Sequence, residues 1–238
     1  MNKPRTQTPL ARPANLSDRI YSELRRRLQR QPLGADDRLL DLEVAAAYGT
    51  SRMPARDALL RLVNEGYLVG TTRGFAAPAL SLGDIREIFE VRRLLEPQAI
   101  ASVAATMDEA TIAQLTDALR RAQTAATQDD GEEMVLANMA FRDAWLSHVA
   151  NKRLATTIGR FVDHVQTVRL NTLSNAETRK VVLDGLEQLH QALVQRDEPL
   201  VRARMTAFMR AAEYAFFSTH QAGLHRSPGG APNTSATA

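Results

Sequence analysis

The sequence predicts a mainly α-helical chain in two parts: an N-terminal winged helix-turn-helix and a C-terminal all-helical antiparallel bundle of about six helices. Three observations carry this. Residues 17–78 run helix, helix, turn, helix and then two short strand-like segments. Residues 84–219 keep apolar side chains at 3.6-residue spacing, with no convincing strand. Charge divides at the same place: residues 1–78 carry 13 Lys/Arg against 8 Asp/Glu, and residues 79–238 carry 17 against 19. A basic first third on a slightly acidic remainder fits a nucleic-acid-binding module joined to something else.

Taken in order, residues 1–15 hold three prolines and few large apolar side chains, and read as a disordered arm. The first domain is expected at 16–78. A helix over Ser17–Gln31 starts on Ser17 as N-cap, with Ile20, Leu24 and Leu28 as its apolar stripe. Pro32 and Gly34 end it. A short helix over Asp41–Tyr48 is capped by Asp41 and closed by Gly49. The next helix begins after Thr50, with Ser51 as cap and Pro54 in its first turn, where proline is tolerated. Ala58, Leu59, Leu62 and Val63 form its buried face, and Gly66 stops it. Tyr67–Thr72 and Phe75–Leu80 read as two strands turning at Arg73-Gly74. The second domain is expected at 79–220, with helices near 84–106, 109–127, 132–149, 152–173, 177–196 and 198–219. Short connections favour antiparallel neighbours. Residues 221–238 read as a disordered tail.

Composition excludes several classes. The chain has no cysteine, hence neither disulfides nor a thiolate metal site. No apolar run approaches the roughly 20 residues of a membrane span, and no apolar signal-peptide core opens the sequence, so a cytoplasmic location is expected. There is no GxSxG elbow, P-loop, GxGxxG or HExxH. Glu132-Glu133 reads as the acidic first turn of a helix and not as a catalytic pair. An enzyme is not expected. The other alternative is a metal-independent adaptor that docks protein or RNA.

The chemistry lies where the third helix begins. Arg52 and Arg56 are four apart and share a face beside the helix N-terminus. Arginine is suited to bidentate pairing with guanine O6 and N7. A helix N-terminus attracts phosphate, and Thr50 and Ser51 can donate to one. Gly74 permits a tight wing turn with Arg73 at its tip. These residues carry a resemblance: Ser51-Arg52-Met53-Pro54-Ala55-Arg56-Asp57-Ala58-Leu59 resembles the "SRTPVREAL" signature of the GntR family, and Leu62, Glu65, Gly66 and Gly74 fall where that pattern expects them. The resemblance implies a homodimeric transcription regulator that binds an inverted-repeat DNA operator. It implies DNA contacts from Arg52, Arg56, Arg73 and Gly74, and Thr50, Ser51 and Met53 complete the expected DNA-binding set. One position departs. Some members carry a DNA-contacting arginine ten residues before Arg52, where this chain has Leu42.

Residues 84–219 resemble the FadR-type (FCD) effector domain of the same family, through Glu90-Val91-Arg92-Arg93-Leu94-Leu95-Glu96-Pro97 and the alanine-rich helix that follows. Six helices point to the VanR-like branch. Many such domains hold a divalent metal with one Asp or Asn and three His, and the metal helps bind a small carboxylate. Here the matching positions are Asn138, Arg142, Leu186 and Phe208. Arginine, leucine and phenylalanine cannot ligate a metal, and His148, His164 and His190 lack the expected spacing. No metal or other cofactor is therefore expected. Asn138, Arg142, Leu186 and Phe208 become the expected effector-binding residues. Two readings of Arg142 stay open: a structural ion pair or a snorkelling side chain, or an anion clamp replacing the metal. The second implies an organic acid with a hydrophobic body as the small-molecule effector.

Overall fold

In the computed structural model, which describes residues 16–31, 33–34, 36–164 and 172–224, the first helix, α1 (Leu16–Arg30), buries Ile20, Tyr21 and Leu24 on one stripe. That stripe packs on α3 (Arg52–Asn64), whose Ala55, Ala58, Leu59 and Leu62 recur at the spacing of one helical face. A charged lattice ties the same two helices together. The guanidinium of Arg61 lies 3.8 Å from the centre of the Tyr21 ring and donates to Asp18 and Glu65, each at 3.1 Å. The Tyr21 hydroxyl donates to Glu65. Between them α2 (Asp41–Ala47) buries Val44 and Ala45 against α3.

The wing is shorter than expected. Strands β1 (Val69–Thr71) and β2 (Gly74–Ala76) pair antiparallel, with Thr71 opposite Gly74 and Val69 opposite Ala76, so the two-residue loop is Thr72-Arg73. Pairing stops before Pro78, which has no N–H to extend a ladder. Leu39 exchanges both backbone hydrogen bonds with Phe75, at 2.8 and 2.9 Å, and so anchors the wing to the strand-like segment before α2. Gly74 is required there. Its φ is +111°, and a Cβ would stand 2.7 Å from the Leu39 carbonyl oxygen.

The second unit is helical throughout its described residues. It contains α4 (Leu82–Ala104), α5 (Glu109–Thr127), α6 (Gly131–Leu146), α7 (Lys152–His164), α8 (Ala176–Val194) and α9 (Glu198–Leu224). Asp108, Asp130 and Asn175 cap α5, α6 and α8, each side chain accepting from the backbone N–H three residues on. Helices α5 and α6 pack together, as do α8 and α9, and α4 packs on α9. Arg93 donates to Glu213 at 2.5 Å across that last contact. One continuous core runs through the bundle, with Trp145, Phe141, Met134 and Leu115 among its fully buried members.

Several expectations are corrected. Ser17 lies inside α1 and so cannot be its half-in cap. Leu40, not Asp41, occupies the N-cap position of α2, and no side chain caps it, because the Asp41 carboxylate is engaged elsewhere. Ser51 is the N-cap residue of α3 but makes no side-chain cap bond. The chain divides after Ser81, three residues past the expected boundary. Helix α9 continues to Leu224, through residues expected to start a tail; Gly223 weakens a helix without ending it. The expected arm at 1–15, the tail beyond 224, Pro32 and the stretch 165–171 lie outside the described residues.

The start of α8 depends on one buried arginine. Arg179 donates to the carbonyls of Leu173 and Ser174, at 2.8 Å each, and to the Asp129 carboxylate in the α5–α6 turn. Replacing Arg179 by Met should destabilise the protein by about 1–3 kcal/mol, because two carbonyls lose their donor in a buried setting. Asp129→Ala should cost less, since it leaves both carbonyl bonds intact and removes a carboxylate that is largely exposed. Urea unfolding of the two variants measures this order; equal losses would contradict it.

Candidate nucleic-acid interface and ligand cavity

At the start of α3 the structure places Thr50, Ser51, Arg52, Met53 and Arg56 together, with the wing loop beside them. Ser51, Arg52, Met53, Arg56 and Arg73 are exposed. The backbone N–H of Thr50 closes the turn by donating to the Ala45 carbonyl at 2.9 Å. Thr71 Oγ1 donates to the Gly74 carbonyl and accepts from the Arg73 backbone N–H, which ties the wing loop to itself. A groove lies between α2, α3 and the wing, and Arg52, Arg56 and Arg73 all line it. Two large apolar side chains stand in solvent on this side: Leu42, 62% exposed, and Met53, 65% exposed.

Asp41 is the residue that sequence reasoning misassigned. Nη2 of Arg52 donates to both of its carboxylate oxygens at 3.0 Å, and Nη1 of Arg56 donates to one of them at 3.3 Å. The Arg52 hydrogen bonds, reinforced by Arg56 and opposed by desolvation, hold the Asp41 carboxyl below the usual carboxylate range. Asp41 is therefore ionised at neutral pH. The signal that could have found it is an acidic residue in the first turn of α2 facing two arginines one turn apart on α3. A strong local motif for a helix start concealed it.

In the bundle, Asn138, Arg142, Leu186 and Phe208 line one cavity of about 70 Å3. Asn138 and Arg142 come from α6, Leu186 from α8 and Phe208 from α9. Arg142 is 6% exposed and is engaged within the protein. Sequence reasoning left out two cavity-lining groups, Arg92 and Glu96 of α4. Arg92 Nε donates to Glu96 Oε1 at 2.5 Å, and its guanidinium also lies 5.5 Å from the centre of the Phe89 ring. Their i, i+4 spacing was visible in the sequence. That the pair faces inward was not, because α4 buries residues around much of its circumference.

These residues do not fit a divalent metal. Of the four positions only Asn138 has a donor atom. His148 is hydrogen-bonded to Thr111 and His190 to Thr116, each at 2.8 Å, away from the cavity. Among the described residues no three His, Asp or Glu side chains come together as a ligand set. Nor is any described helix long and apolar enough to cross a membrane.

Comparison with known proteins identifies the family. Residues 16–74 match the profile of bacterial regulatory proteins of the gntR family, and residues 87–211 match the FCD domain. The HTH-type transcriptional regulator McbR of Escherichia coli (strain K12) is 30% identical over 129 residues, 54% of this chain and 58% of its own length. The HTH-type transcriptional repressor RspR of the same organism is 24% identical over 207 residues, 86% of this chain and 90% of its own. A solved structure of E. coli McbR/YncC aligns with a TM-score of 0.74 at 24% identity, covering 87% of this chain and 99% of that one, which shows a common fold.

The buried Arg92–Glu96 pair yields a stability test. Glu96→Leu strands a charge that cannot be neutralised and should cost about 3–5 kcal/mol. The double variant Arg92→Met, Glu96→Leu removes both charges and should recover most of that loss. Unfolding followed by fluorescence of Trp145, the sole tryptophan, measures both. A double variant no more stable than the single one would show that the pair does more than satisfy itself.

Proposed function

This chain belongs to the GntR family of bacterial regulatory proteins, with an FCD domain, and is a DNA-binding transcription regulator; from that premise we propose that it acts as a cytoplasmic homodimer whose operator affinity is set by a small organic acid in the helical cavity. One observation carries the effector reading. A permanently charged guanidinium, Arg142, is buried on the wall of a cavity otherwise lined largely by apolar side chains. Leu186 and Phe208 supply an apolar surface for the body of the acid, and Asn138 adds an amide beside the charge. Arginine offers a planar fork that matches a carboxylate, so it supplies the positive charge that a metal supplies elsewhere in the family. Its present partners compete with the ligand, and five N–H donors allow it to serve both.

Size narrows the class. The cavity of about 70 Å3 is roughly half the 150 Å3 that accommodates benzene in an apolar core. A compact acid fits the resting walls. A benzene-sized one enters only by moving them, and Met205 and Met209 are the lining side chains best able to yield.

On the DNA side, Arg52 and Arg56 read base edges in the major groove from the start of α3. Thr50, Ser51 and Met53 flank them, and Arg73 and Gly74 bring the wing to the backbone. Leu42 withdraws one cation that some relatives present at this surface.

Two measurements test this. The full chain should sediment as a dimer and select an inverted repeat from a randomised duplex pool. Arg52→Ala and Arg56→Ala should each lower the selected-over-random binding ratio by about 1–3 kcal/mol, while Arg73→Ala weakens all duplexes alike and flattens the salt dependence. A monomer, or full sequence preference in both helix variants, would sink that half of the reading. For the cavity, short carboxylates should raise the melting temperature in chelator as well as in divalent metal. Arg142→Met should stay folded and lose both that shift and the response of DNA binding to the acid. Unchanged acid binding in Arg142→Met makes the residue structural, and a full equivalent of tightly held zinc, nickel or manganese defeats the metal-free reading.

A further inference from the structure

Asp41 accepts hydrogen bonds from both arginines assigned above to base reading, and no helix-capping role accounts for it. Its side chain is 12% exposed, whereas those of Arg52 and Arg56 are 64% and 54% exposed. The carboxylate thus lies beneath the two guanidinium groups, and most of their surface faces outward. It engages one nitrogen of each: Nη2 of Arg52 at 3.0 Å to both oxygens, and Nη1 of Arg56 at 3.3 Å. Each guanidinium has five N–H donors, so both keep donors for a base edge while Asp41 stays in place.

We propose that Asp41 is a positioning residue that fixes Arg52 and Arg56 in one shared arrangement and cancels one of their two charges, so that the surface favours a base sequence over bare phosphate. The proposal rests on the reading of α3 as the base-reading helix. Two physical arguments support it. Two long, rotamer-rich side chains must be ordered before they can pair bidentately with bases, and ordering them in the free protein lowers the cost of binding. Sequence-independent affinity grows with the number of phosphates neutralised, and it is the background against which specificity is measured. Two unpaired arginines one turn apart would bind phosphate anywhere; a carboxylate between them reduces that pull and leaves the directional donors. A purely stabilising role is a poor explanation, because ion pairs with exposed arginines contribute little to stability.

The test uses the full-length protein and two duplexes, one selected from a randomised pool by the wild-type chain and one a scrambled version of it. Binding to both is measured across a salt series for wild type, Asp41→Asn and Asp41→Glu. Asp41→Asn should bind the scrambled duplex more tightly, steepen the logarithmic salt slope by about 0.9 for each extra phosphate engaged, and lower the selected-over-scrambled ratio by about 10-fold. Asp41→Glu keeps the charge and should keep the wild-type salt slope, with part of the ratio. A purely structural role would change stability and leave the slope alone. Should Asp41→Asn fail to fold, Asp41→Ser, also neutral and suited to a helix start, carries the same comparison. An unchanged or higher ratio with an unchanged slope overturns the positioning role while leaving α3 as the reading helix. A wild-type chain that selects no sequence from the pool removes the reading helix and the proposal together.

Discussion

An arginine cannot discharge itself, and both units are organised around that constraint. In the bundle three arginines among the described residues, Arg92, Arg142 and Arg179, are buried, where an unpaired charge is among the most costly things a fold can contain. Among the described residues no buried side-chain nitrogen or oxygen is left without a partner. The solutions differ in kind. Arg92 takes a carboxylate one turn along its own helix. Arg179 takes two carbonyls and a carboxylate from the α5–α6 turn. The second reaches further: it ties Leu173, which lines that cavity, and Ser174 to a turn elsewhere in the bundle.

The first unit applies the same rule at its surface. Arg61 lies on the Tyr21 ring and bridges Asp18 and Glu65, locking α1 onto α3. Arg52 and Arg56, nearer the start of α3, share Asp41. One helix thus carries a structural arginine near its end and, at its start, the two arginines proposed to read bases, and all three are held by carboxylates from other parts of the unit or the helix end. Partners, not burial, separate them: Arg61 lies on an aromatic ring and bonds two carboxylates, whereas Arg52 and Arg56 share one carboxylate.

How much of this was legible follows the same division between local and tertiary causes. The start of α5 was readable because Asp108 caps it through a bond three residues away, a purely local event. The buried face of α3 was readable because its period is local too. Asp41 was misassigned because a first-turn aspartate has two competing uses, capping the helix or pairing across the fold, and only the packing of α2 against α3 decides between them. The strands came out short where pairing stops before Pro78, and the bridge from Leu39 to Phe75, far off in sequence, was not readable. In the cavity, Arg142, Asn138, Leu186 and Phe208 were located through the family pattern and not through periodicity. The inward-facing Arg92–Glu96 pair lay in a helix whose burial extends around too much of its surface for a stripe to single it out.

Around the cavity the wall is built by close packing, as protein interiors generally are. The Phe208 ring lies so close over Gly185 that even one added carbon there would collide with it. A large aromatic side chain and the absence of any side chain on the facing helix are matched in shape, beside Leu186. An apolar wall made by complementary packing and a buried guanidinium already engaged within the protein line the same cavity. This arrangement supports the proposed acid over a metal, whose charge a guanidinium repels.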